Sequence, residues 1–294
     1  MISQYYLFRL LLVSKSSKCT LFPQVPSEIL KKILLARPSG LVRVNIHWAI
    51  ANSREENDSI TYFKFGRAIK KPSEVYDLAE RAFVPAELDV ANSADCYFDS
   101  ATQVLAIEKA PECPLPSTLA KYIRSVIQSY IELGDPSVFS PEEIAYLKSR
   151  ECGLRAITDP FDFIADILSA KKIFECKLYG SRLNPFDYDA LFQKPTGRII
   201  ELSNATDGYT VIKSAQGLLE KDFIKDMARA SAAAGNDASA KIQRGEGGLT
   251  ERIYLRKTDA AARVEIEIDG NESVLKTLIR IMRDKYHQIR GSLG

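Results

Sequence analysis

The sequence predicts an α+β protein of two domains, each a mainly antiparallel sheet flanked by helices. Three observations lead there. Runs with a period of two and runs with a period near 3.6 are mixed without a regular strand-helix-strand alternation, which disfavours a parallel sheet wound through crossover helices. The 294 residues exceed what one hydrophobic core usually organises. Finally, the stretch GDPSVFSPEE reads as a linker: Gly134, Asp135 and Pro136 stop one helix, and Ser140, Pro141 and Glu143 open the next with a capping box. A boundary near residue 137 gives a strand-rich domain over 1–136 and a second α+β domain over 137–294 that ends in an amphipathic basic helix.

The elements follow in order. In the first apolar run, Tyr6, Phe8, Leu10 and Leu12 share one face and Arg9 lies on the other, as expected of a core strand. PSEILKKIL is a short amphipathic helix with Ser27 as its cap. LVRVNIHWAIANS is a strand with Val42, Val44, Ile46 and Trp48 on one face, and DSITYFKFGRAI is the next strand. CYFDSATQVLAIEKA reads as a hairpin closed around Asp99 to Thr102, followed by a helix from Ser117 to Leu133. Beyond the linker come a helix at DPFDFIADIL, the strand KKIFECKLYG, a hairpin through TDGY and a long helix ending at Gly235. Strands at KIQ and at ERIYLRK paired with ARVEIEI precede a terminal helix from Asn271 to Arg290.

Composition narrows the function classes. Hydrophobic residues make up 46% and charged residues 27%, the balance of a folded globular chain rather than a disordered one. Forty basic against thirty-eight acidic side chains leave a net charge of +2, so nucleic acid would have to be held by a local patch. The cysteines, Cys19, Cys96, Cys113, Cys152 and Cys176, are scattered and form no C-x-x-C pair. With only His47 and His287 beside them, no zinc site is expected, and reduced thiols in a cytoplasmic protein fit better. The run Tyr5 to Val13 is too short to span a bilayer and carries Arg9, so no membrane partner is expected either.

One spacing invites an enzymatic reading. Asp162, then Glu175 and Lys177 in FECKLYG, resembles the acidic residue and Glu-x-Lys of the PD-(D/E)xK nucleases, and the resemblance implies a bound Mg2+ with Lys177 assisting a water. The local pattern argues the other way. Asp159, Pro160 and Asp162 look like a helix N-terminus, with Phe161, Ile164, Ile167 and Leu168 at helical spacing. On the strand, Phe174, Cys176 and Leu178 share one face and Glu175 and Lys177 the other, so a helix packed on the apolar face leaves Asp162 across the sheet from Glu175. Asp99 with Glu108 and Lys109 is a poorer candidate still, because adjacent strand residues point to opposite faces.

Two basic patches favour binding over catalysis. On the terminal helix, Leu275, Leu278, Ile279, Met282, Tyr286 and Ile289 form the packing stripe, and beside it Lys276, Arg280, Arg283, His287 and Arg290 line a narrow basic strip. Arg244, Arg252, Arg256 and Lys257 of the preceding hairpin would extend that strip towards phosphates. In YFKFGRAIKK, Tyr62, Phe63 and Phe65 lie among Lys64, Arg67, Lys70 and Lys71, a mixture that single-stranded nucleic acids use for stacking and charge. Each patch also has a plain structural reading, as a solvated helix rim and as core aromatics. Gly245, Gly247 and Gly248 lack the Lys and Ser/Thr of a phosphate loop, and His47 has no acidic or nucleophilic neighbour in sequence.

The reading that results is a non-enzymatic cytoplasmic protein that binds DNA or RNA, or joins a complex around it, in a setting such as bacterial antiviral defence or DNA transactions. The alternatives are the Mg2+-dependent nuclease and a protein-interaction subunit, including a homo-oligomer. No cofactor is expected outside the nuclease alternative.

Overall fold

A computed structural model describes residues 2–15, 26–43, 46–77, 81–181, 207–246, 248–256, 261–267 and 274–291. Lys257 and Cys19 lie outside the described residues. The architecture is α+β, with two antiparallel sheets of eight and four strands. Strand β1 (Ile2–Ser14) is the axis of the larger one. Its Tyr5–Arg9 stretch pairs with β6 (Val104–Glu108) on one edge. On the other edge its first half pairs with β12 (Arg263–Glu267) and its second half with β7 (Arg150–Ala156), end to end. Outward from β6 lie β5 (Ala82–Asp99), β4 (Ile60–Asp77), β3 (Ile46–Asn57) and β2 (Ser39–Arg43). The small sheet runs β11 (Thr250–Tyr254), β10 (Ala238–Gln243), β8 (Lys172–Ser181), β9 (Asp207–Lys213).

The alternation of β1 explains why both faces of the large sheet are covered around it. Phe8, Leu10 and Leu12 enter one core with Trp48, Phe63, Phe65 and Phe98, roofed by α1 (Pro26–Leu35), α2 (Pro116–Leu133) and α3 (Pro141–Lys148). Tyr5 and Leu7 enter a second core on the opposite face. That core is closed by α4 (Phe161–Ser169), α5 (Lys221–Ala233) and α6 (Val274–Arg290), and it reaches the inner face of the small sheet at Cys176, Leu178, Ala240, Ile242 and Ile253. Arg9, on the Tyr5 face, is 3% exposed and donates to the Tyr286 hydroxyl of α6. The small sheet therefore has one face in the core and one outside.

Several local expectations are met for the reasons given. Ser140 and Glu143 form the capping box of α3, and α2 ends at Gly134 in the left-handed region (φ 61°). In α6, Leu278, Met282, Tyr286 and Ile289 are buried as the stripe requires. Two expectations are corrected: LVRVNIHWAIANS is divided between β2 and β3, which pair antiparallel, and ERIYLRK pairs with β10, whereas ARVEIEI leaves it and joins β1. Val264 and Ile266 alternate with Arg263 and Glu265, which gives β12 one apolar face to fill the edge of β1 that β7 leaves vacant. Around residue 137 the chain makes a turn between α2 and α3, with Asp135 Oδ1 accepting from the Ser137 N–H at 2.9 Å. The later strands β7 and β12 return to the large sheet.

The sequence understates β4 and β5. They pair continuously from Ile60 with Asp99 out to Asp77 with Ala82, well past the last rung that β3 supplies at Ile69. Pro72 and Pro85 obscure the period there. A two-stranded ribbon tolerates proline because its outer edges need no hydrogen-bond partner.

Candidate functional site

The residues of the nuclease spacing are not brought together. Helix α4 packs through Phe163, Ile164 and Ile167 onto the core that Cys176 and Leu178 enter, and Asp162 is exposed. Glu175 and Lys177 alternate with those core residues and project from the outer face of the small sheet. The Phe174 face anticipated for β8 is altered by a bulge opposite Lys241 and Ile242, which brings Ile173 into the core beside Cys176. The Glu175 carboxylate accepts from Arg252 at 2.6 Å and lies 3.6 Å from the Lys213 ammonium. Those two cations hold its pKa below the ordinary glutamate value, the Arg252 hydrogen bond contributing most. Among the described residues, no group of three or more His, Cys, Asp or Glu side chains could hold a metal ion.

The basic strip of α6 is divided. Lys276, Arg280, His287 and Arg290 are exposed, but Arg283 is turned into the fold. Its Nε donates to Asp99 Oδ2 at 2.8 Å and its Nη2 to Asp99 Oδ1 at 3.0 Å and to Ser59 Oγ at 2.8 Å. Asp99 is fully buried at the β5–β6 turn, where it also accepts from the Ala101 N–H and the Thr102 hydroxyl. Arg283 therefore pins the terminal helix to the large sheet. Of the hairpin cations, Arg244 is occupied by Asp166 and Glu251, and Arg256 reaches the Gly235 carbonyl.

The YFKFGRAIKK aromatics are all core: Tyr62 is 5% exposed, and Phe63 and Phe65 are fully buried. Lys64 pairs with Asp95 at 3.2 Å, Arg67 is half-buried, Lys70 is exposed and Lys71 follows it on β4. Beside them is a shallow trough of ≈ 200 Å³ on β3–β5, floored by Ala49, Ala51, Gly66 and Ala68 and rimmed by His47, Lys64 and Asn92. A side chain at Gly66 would sit 2.2 Å from the Asn92 carbonyl oxygen, so the close approach of β4 and β5 requires glycine there.

The outer face of the small sheet gathers what these patches lack. Cross-strand registers place Arg252, Lys241, Glu175 and Lys213 in one row across all four strands. The next row is Tyr254, Ser239, Lys177 and Val211, and beyond it Tyr179 faces Tyr209. In the first two rows, Lys177, Lys213, Lys241 and Arg252 accompany one carboxylate, Glu175. Tyr209 is 60% exposed and Tyr254 46%, the two most exposed aromatic side chains among the described residues. The Lys177 ammonium lies 3.7 Å from the Tyr209 ring centroid and 4.6 Å from that of Tyr179, a cation–π contact that orients both rings. Of this face, the sequence singles out only Glu175, Lys177 and Arg252. A signal for the rest exists: Lys177 with Tyr179, Tyr209 with Lys213, and Arg252 with Tyr254 each put a tyrosine and a cation on the same face of one strand.

The sequence matches no protein-family model and no curated protein.

Proposed function

We propose that the protein binds nucleic acid through the outer face of the small sheet. The observation that carries this reading is the cluster of Lys177, Lys213, Lys241 and Arg252 around one acidic residue on an open sheet face, in a chain whose overall charge is only +2. Phosphates attract such a cluster whatever the base sequence, and counterion release makes the binding salt-sensitive. Lys276, Arg280, His287 and Arg290 on α6 are exposed cations that could add phosphate contacts elsewhere, with Arg283 excluded by its pair with Asp99.

Glu175 gives the reading a distinctive sign. Its carboxylate opposes phosphate and occupies Arg252, so Glu175→Gln should tighten binding of a labelled oligonucleotide, while Lys213→Gln with Lys241→Gln should weaken it and flatten its salt dependence by about two phosphate contacts. Weaker binding after Glu175→Gln, accompanied by loss of Mg2+-dependent cleavage, would instead favour the nuclease.

A further inference from the structure

We infer that this face selects unpaired strands, with Tyr209 and Tyr254 each stacking one exposed base and the row of Arg252, Lys241 and Lys213 holding the adjoining phosphates. The inference rests on the nucleic-acid reading above and specifies its ligand class as single-stranded RNA or DNA.

Tyr254 stands on one edge strand of the small sheet and Tyr209 on the other, with Ser239 and Lys177 between them. Three strand spacings across the sheet and a shift of two residues along it separate the two rings, about 16 Å. The cationic row lies two residues, about 7 Å, from Tyr254 on β11 and four residues, about 14 Å, from Tyr209 on β9, so the line of rings slants away from it. A chain laid along this diagonal thus meets a ring, the gap at Ser239 and Lys177, and a second ring, with Arg252 and Lys241 alongside Tyr254 and Lys177 alongside Tyr209. Lys177 covers one face of Tyr209, and at 60% exposure the ring keeps surface open for a ligand. Base faces are available for stacking only when they are not already stacked in a duplex, so the tyrosines reward an unpaired strand and the cations alone serve a paired one. Ser239, fully buried and bonded to Arg252 at 3.3 Å, keeps the middle of the row low so that the chain is not held off the sheet.

The inference also explains the arrangement of Tyr179. Its ring is tilted 54° to that of Tyr209 with centroids 6.2 Å apart, and it is less exposed. It supports Tyr209 and Lys177 and is a positioning residue.

Fluorescence anisotropy with labelled oligothymidylate, oligouridylate and a duplex of the same length tests this on the full chain, at low and moderate salt. Tyr209→Ala and Tyr254→Ala should each weaken single-strand binding by about tenfold, Tyr209→Phe and Tyr254→Phe should restore it, and duplex binding should not respond. Equal thermal melts would show that the exposed substitutions leave the fold intact. If the alanine variants bind the single strand like the wild type while Lys213→Gln with Lys241→Gln loses it, the stacking inference is overturned and the nucleic-acid reading stands. If no oligonucleotide binds even at low salt, both fall.

Discussion

The two sheets treat the same residue types in opposite ways. In YFKFGRAIKK on β4, aromatic and basic residues are interspersed, and every aromatic is buried, because each points into one of the two cores that flank this part of the large sheet. On β8, β9 and β11, tyrosines and cations occupy the same face, and that face is the outer one of a sheet that the described residues cover on one side only. The lesson is that an aromatic-basic stretch becomes a binding surface only when the number of covered faces leaves its aromatics outside. Local composition alone points to β4 as readily as to β9.

The contrast can be broken most severely at the aromatics. Phe65→Ala empties a fully buried site beside Trp48, whose ring stacks on Phe65 with centroids 5.5 Å apart, and should cost about 3–5 kcal/mol in urea denaturation. Tyr209→Ala removes a ring from solvent-facing surface and should change stability by no more than about 0.5 kcal/mol. Similar losses at both positions would mean that the two faces are not distinguished as described.

A smaller effect separates the two kinds of cation on α6. Arg283→Ala removes the guanidinium from the buried Asp99 carboxylate, which keeps the Ala101 N–H and the Thr102 hydroxyl, and should cost about 3 kcal/mol, the low end for breaking a buried pair because Arg283 is partly solvated. Arg280→Ala should lie within about 0.5 kcal/mol of wild type, and thermal melting of the two variants side by side measures the difference.

The smallest effect concerns Glu108, at the row where the covered part of the large sheet gives way to the trough. Burial raises its pKa above the ordinary glutamate value, against a hydrogen bond from the Asp95 N–H and with the Asp95 charge adding to the rise. The folded protein therefore holds this proton more tightly than the unfolded chain. Stability contributed here is present below the ordinary value of 4.5 and is lost as pH rises through the raised one. Glu108→Gln should thus gain on the wild type as pH increases across that window, and stability curves that stay parallel would contradict the assignment.

How much was legible in the sequence differs between fold and site. The capping box at Ser140, the α6 stripe and the alternation in β1 are local patterns, and local physics decides them. The partner of β12 depends on which edge of β1 remains free, a fact fixed by β7 and β6 from elsewhere in the chain. The site suffers most from this. Arg283 looks like its neighbours on a helical wheel, and only the arrival of Asp99 from the β5–β6 turn removes it from the surface. Likewise, Glu175 and Lys177 could be assigned to the open face from their period, but their companions Tyr209, Lys213, Lys241 and Tyr254 come from three other strands whose register no short-range pattern sets.

The most direct test of the central claim is photo-crosslinking of the protein to a single-stranded oligonucleotide, with the attachment sites mapped by mass spectrometry. The account predicts adducts on the outer face of the small sheet, at Tyr209, Tyr254 and Lys177. Adducts confined to α6, at Lys276, Arg280, His287 or Arg290, or to the β4–β5 ribbon, would contradict it.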